Sequence, residues 1–151
     1  MAIEPTEYVF STHPFIVRRR VRWGECDPAG VVYTPRFTDY LTAAVTLFHE
    51  HFFEGEPADF RKALGIETPC KGMSLVFQGA LWPNDVFDMR VHVGEIRNSS
   101  YDVHVTATRP KGDAIFTGEF SPVCIPRGER RAIPIPDAYR MLLQRSQEAT
   151  K

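Results

Sequence analysis

An α+β domain, with a mainly antiparallel sheet of five strands wrapped around one long helix, is the fold class this 151-residue chain predicts. Three observations predict it. Over residues 36–53 the apolar residues Phe37, Tyr40, Leu41, Ala44, Val45, Phe48, Phe52 and Phe53 recur at steps of three, four or one, with no Gly or Pro among them. That is the period of a helix with a broad buried face. From Met73 onward the period becomes two, as in half-buried strands. The segments between the alternating runs are too short for parallel crossovers, so neighbouring strands run antiparallel, and an apolar sheet face needs the helix as its cover.

The elements follow in order. Residues 1–14 carry few apolar side chains and are expected to form a loose arm, and residues 15–148 a single domain. Phe15, Val17, Val21 and Trp23 alternate with Ile16, Arg18, Arg20 and Arg22, which reads as a strand; Arg19 is the exception on its apolar side. Asp27-Pro28-Ala29-Gly30 has turn chemistry. Thr34 before Pro35 starts the helix, the Thr offering a cap and the Pro losing a donor that would be orphaned anyway. Glu54-Gly55-Glu56-Pro57 ends it, and residues 59–64 form a further helical turn. The later strands carry Met73, Leu75, Phe77 and Leu81, then Phe87, Met89, Val91 and Val93, then Tyr101, Val103, Val105 and Ala107, then residues 114–125. Pro83-Asn84-Asp85, Asn98-Ser99-Ser100 and Pro110-Lys111-Gly112-Asp113 separate them. Residues 137–148 are expected to form a C-terminal helix.

A formal net charge of −1 gives no global field to recruit nucleic acid or a membrane. The three cysteines Cys26, Cys70 and Cys124 make no C-x-x-C pair and no metal-ligand spacing, and scattered thiols fit a reducing compartment. No signal-peptide core and no apolar run near the ~20 residues of a membrane span is present, so a cytoplasmic protein is expected.

Gly24-Glu25-Cys26-Asp27-Pro28-Ala29-Gly30-Val31-Val32-Tyr33, followed by a long helix and then by four strands, resembles the 4-hydroxybenzoyl-CoA thioesterase family of the hotdog fold. Thr68-Pro69, Asp85 and Gly128-Glu129-Arg130-Arg131-Ala132-Ile133 support the resemblance, which runs from about residue 15 to about residue 140. It implies a dimer or tetramer with active sites between subunits, hydrolysing acyl-CoA thioesters without a metal. No cofactor is implied, since CoA enters as part of the substrate. The resemblance places the catalytic carboxylate on Asp27 and carbonyl-polarising backbone N–H groups at Tyr33 and Thr34. It places the CoA contacts at Arg97 and Ser99 of the 97–100 turn and at the basic exit formed by Arg127, Arg130 and Arg131. Relatives often carry His or Tyr where Thr34 stands, so no imidazole is supplied there.

Thioester hydrolysis needs a nucleophile and a place for the developing oxyanion, and amide donors at a helix start provide the second. Asp27 either attacks directly, giving a mixed anhydride, or activates a water; its plain alternative is a turn former. Glu25 is a second acid or a paired side chain. Cys26 is a nucleophile or a packing group. Trp23, Tyr33 and Phe37 line an acyl pocket or pack against the helix. His49 and His51 lie about 200° apart around a helix and cannot share one ion, so two surface or interface histidines are expected. Arg18, Arg20 and Arg22 form a solvated or subunit-bridging face. The resulting expectation is a thioester hydrolase acting on an acyl-CoA, with an aromatic acyl group by analogy. The alternatives are hydrolysis on an acyl carrier protein and a non-catalytic acyl-CoA-binding module.

Overall fold

The computed structural model describes residues 4–53 and 56–150, without the side chain of Thr150. Its strands are β1 (Glu7–Thr12), β2 (Phe15–Arg20), β3 (Ile66–Glu67), β4 (Cys70–Phe77), β5 (Val86–Ile96), β6 (Tyr101–Thr108), β7 (Ala114–Pro122) and β8 (Ile125–Pro126), and its helices are α1 (Arg36–Phe52), α2 (Pro57–Ala63) and α3 (Asp137–Thr150). Six strands form one sheet in the order β1-β2-β5-β6-β7-β4, every neighbouring pair antiparallel; β3 and β8 make a separate two-stranded ladder.

One face of the sheet is apolar because alternate residues of each strand point the same way. Val17 of β2, Phe87, Met89 and Val91 of β5, Val103 and Val105 of β6 and Phe116 of β7 share one core with Phe37, Tyr40, Leu41, Ala44, Val45 and Phe48 of α1. The opposite face is polar. Arg18 and Asp88 stand opposite each other there and form a bidentate pair at 2.7 and 2.9 Å, with the guanidinium 3.7 Å above the Phe10 ring. Arg22 donates to the Thr6 hydroxyl and Arg20 lies 4.0 Å from Glu4, so the arginine stripe is partnered within the chain.

Several expectations change. The first strand, expected to run to Trp23, ends at Arg20, and Trp23–Glu25 forms a short 3-10 turn with Trp23 exposed. The sheet has six strands rather than five, because residues 7–12 of the expected arm pair with β2. Thr34 does not cap α1: Pro35 occupies the cap position with no side-chain hydrogen bond. Residues 54 and 55, expected to end α1, lie outside the described residues. Among the described residues no helix is long and apolar enough to cross a membrane.

Candidate active site

Asp27 sits in a tight turn leading to α1. The Gly30 N–H donates to the Asp27 carbonyl at 2.9 Å, and the Ala29 N–H donates to the Asp27 carboxylate Oδ1 at 2.9 Å. Asp accepts from its own backbone two residues on, Pro28 presets the second turn position, and Gly30 closes the turn at φ +86°, where an L side chain would be strained. The turn role and the carboxylate's exposure therefore coexist: one oxygen is bound by the turn and the side chain stays half-buried. A single bridge, Cys26 to Val32, folds the segment back on itself, and the Val32 N–H donates to the Leu81 carbonyl at 2.9 Å.

The neighbours of Asp27 divide the candidate roles. Glu25 is paired: it takes Arg19 in an ion pair, and its Oε1 accepts from the Tyr40 hydroxyl and the Arg22 N–H, both at 2.9 Å. Arg19 also lies over the Tyr40 ring and pairs with Glu7. Its place on the apolar side of its strand is explained by this network. Burial first, and then the hydrogen bond to Glu25, raise the Tyr40 hydroxyl well above its usual range. The Cys26 thiol is raised by burial and by the charges of Glu25, Asp27 and Asp85, the opposite of activation. Asp85 accepts from the Trp82 N–H and from Arg109, both at 2.9 Å, a brace that sequence periodicity did not disclose.

At the helix start the two expected amide donors separate. The Tyr33 N–H is spent on the Glu25 carbonyl at 2.9 Å. The N–H groups of Arg36, Phe37 and Thr38 donate to the carbonyls of Tyr33, Thr34 and Pro35. The Thr34 N–H has no partner among the described residues, and Thr34 is exposed. Around it, Tyr33 is 54% and Trp82 50% exposed, and Phe77, 48% exposed, packs edge-on against Phe37 at 5.0 Å. Trp23 is exposed, whereas Phe37 belongs to the core.

The residues expected to contact CoA differ in character. Arg97 is committed: it grips Asp102 through Nη1 at 2.9 Å and Nη2 at 2.5 Å, and reaches Ser100 and Glu95. That guanidinium holds the Asp102 carboxyl well below the usual carboxylate range. The Ser99 carbonyl accepts from the Cys124 N–H, and the 97–100 turn is covered, since Arg140 of α3 donates to the Arg97 and Asn98 carbonyls at 2.8 and 3.1 Å. Arg130 and Arg131 are exposed, Arg131 in a loose pair with Glu129 at 3.1 Å.

His51 is exposed, but His49 turns inward, contrary to a surface placement. Its Nε2 lies 3.0 Å from the Tyr101 hydroxyl, itself 2.5 Å from that of Tyr139. Burial, with a lesser contribution from Arg61, pushes the His49 imidazole down to about 4. Ligand atoms of Asp102, His104 and Glu119 lie within 4.8 Å of one another. A cation there would compete with Arg97 and with the Ser121 hydroxyl for Asp102.

Comparison with known proteins gives a consistent result. The 4-hydroxybenzoyl-CoA thioesterase of Pseudomonas sp. (strain CBS-3) is 27% identical over 133 residues, 82% of this chain and 92% of that protein. Its structure superimposes with a TM-score of 0.72 at 28% identity, covering 84% of this chain and 96% of that one. A hypothetical protein from Thermus thermophilus gives a TM-score of 0.75 at 26% identity, covering 87% and 98%. A thioesterase-superfamily protein from Jannaschia sp. CCS1 shares the fold, with a TM-score of 0.78 at 21% identity over 96% and 98%. The family described as Thioesterase-like superfamily matches residues 21–143. The chain therefore belongs to the thioesterase-like superfamily, with the hotdog architecture of its relatives.

Proposed function

We propose that this chain hydrolyses an acyl-CoA thioester to the free acid and CoA, with Asp27 as nucleophile or general base. The observation that carries the reading is the pairing of a half-buried Asp27 with the unpartnered, exposed Thr34 N–H, both on one folded-back segment at the start of α1. An amide donor at a helix N-terminus stabilises the oxyanion that forms as the thioester carbonyl is attacked. The free carboxylate oxygen of Asp27 supplies the attack, or takes a proton from water. Tyr33 positions the loop through its N–H and offers its exposed ring to the acyl group. Trp82 and Phe77 add apolar surface beside it, which suits an aromatic acyl group like that in the name of the Pseudomonas relative.

The site of a single chain is an open surface. β4 is exposed along almost its whole length, Met73, Val76 and Phe77 included, and lies at the edge of the sheet. A second copy covering this edge would close the acyl site, so the working form is a homo-oligomer. Arg130 and Arg131 are exposed cations that can meet CoA phosphates, Arg131 by leaving its loose pair with Glu129, and Arg97 with Ser99 shapes the 97–100 turn.

A panel of aromatic, short-chain and long-chain acyl-CoA esters, followed by release of CoA thiol, tests the reading. Asp27→Asn should lower turnover roughly a hundredfold or more with an unchanged melting profile; near-normal turnover would refute the role. Arg131→Ala should raise KM for CoA esters with kcat retained.

A further inference from the structure

A cavity of about 600 Å³ opens at the far end of α1 from Asp27. It lies between the β1–β2 turn, the last turns of α1 and one face of α3. Since α1 has 17 residues, the two ends stand roughly 25 Å apart. The volume is that of a small-molecule site.

The lining is divided in chemistry. Phe15, Phe48, Phe52, Val91 and Leu142 form an apolar floor. The rim carries His13, His51, Arg90 and Arg145, and no Asp or Glu lines the cavity among the described residues. Leu142, Arg145 and Ala149 recur at i, i+3 and i+7, so one face of α3 presents both an apolar wall and a cation, with Arg90 of β5 a second cation at the rim. Arg145 has no acidic partner among the described residues. The His51 ring stacks on Phe15 at 5.4 Å and meets the His13 ring edge-on at 6.4 Å. The Thr12 hydroxyl engages His13 Nδ1 at 3.2 Å, leaving Nε2 available.

We infer that this cavity is a binding site for an amphipathic monocarboxylate, its apolar tail on the phenylalanine floor and its carboxylate at Arg145 and the two imidazoles. An aromatic and aliphatic floor draws the tail from water, and a guanidinium with no acidic partner gives a charge-assisted pair to the head. The site is separate from the Asp27 turn and does not depend on the thioester reading.

Calorimetric titration of the full chain with dodecanoate, kept below its micelle concentration, tests this. The wild type and Asp27→Asn should bind one dodecanoate per chain with equal affinity. Arg145→Gln should weaken binding roughly tenfold, and Ala149→Trp, which fills the cavity from α3, should abolish it. Circular dichroism melts of each variant report folding, and Arg145→Gln, on an exposed position, keeps the test standing if Ala149→Trp misfolds. No heat of binding would overturn the proposal. So would binding unaffected by Arg145→Gln, or binding lost in Asp27→Asn, which would place the ligand at the hydrolytic end.

Discussion

His49 holds its imidazole against the Tyr101 hydroxyl, which in turn meets that of Tyr139, and its pKa is pushed down to about 4 from an ordinary 6.5. Between those values the unfolded chain binds a proton that the native chain does not, so stability falls as pH drops from about 6.5 to 4 and the loss levels off below. The full effect is of the order of 3 kcal/mol. Urea midpoints at pH 7 and pH 4.5 should therefore differ more for the wild type than for His49→Gln; parallel curves would sink the assignment. Asp102 titrates in a separate and more acidic window, because Arg97 keeps its carboxyl ionised. At this scale sequence was informative where a residue broke its pattern. Arg19 stood out only as the exception to its strand's alternation, and the structure supplies the reason, an ion pair with Glu25. Arg97 carried no such signal, because its partner Asp102 lies beyond a turn whose local composition looks solvent-facing.

At the scale of elements, α1 approaches the sheet closely at one point. A Cβ on Gly118 of β7 would stand 3.0 Å from Leu41 Cδ1 and 3.2 Å from Leu75 Cδ2. Gly118→Val should therefore overpack the core and cost about 1–3 kcal/mol, read as a lower urea midpoint; an unchanged midpoint would mean that α1 is free to give. A glycine inside an alternating strand was the available signal for this contact. The strands β5 and β6 and the helix α1 were legible because a sheet or helix with one apolar face repeats its chemistry at a fixed period. β1 was not. A bulge between Val9 and Ser11 shifts its register, so Tyr8, Val9 and Phe10 follow one another instead of alternating with polar residues. β3 and β8, two residues each, are too short to have a period. The covering of the 97–100 turn was equally hidden, since Ile135 and Arg140 reach it from distant sequence.

For the whole molecule the unequal edges of the sheet matter most. β1 at one edge is tied down by Arg18 and Arg19, whereas β4 at the other presents apolar side chains and an outer side that pairs with no strand among the described residues. Sedimentation should show at least a dimer. Met73→Lys combined with Val76→Lys should dissociate it and abolish CoA release while the fold melts cooperatively. A fully active wild-type monomer would overturn the subunit-bridging site. Oligomer number had no local signal in the sequence, because a homotypic interface looks like any other half-apolar edge until the strand order is known.

The last helix has a consequence for how this chain opens. Tyr139 and Leu143 are wholly buried, and Arg140 clasps two carbonyls of the turn between β5 and β6. Although α3 comes after the sheet is complete, it cannot fray independently without stripping Tyr101 of its hydroxyl partner and unroofing that turn. Its first two turns and the β5–β6 hairpin should therefore open as one cooperative unit, and hydrogen exchange should show their amide protons leaving through a shared event rather than from the terminus inward.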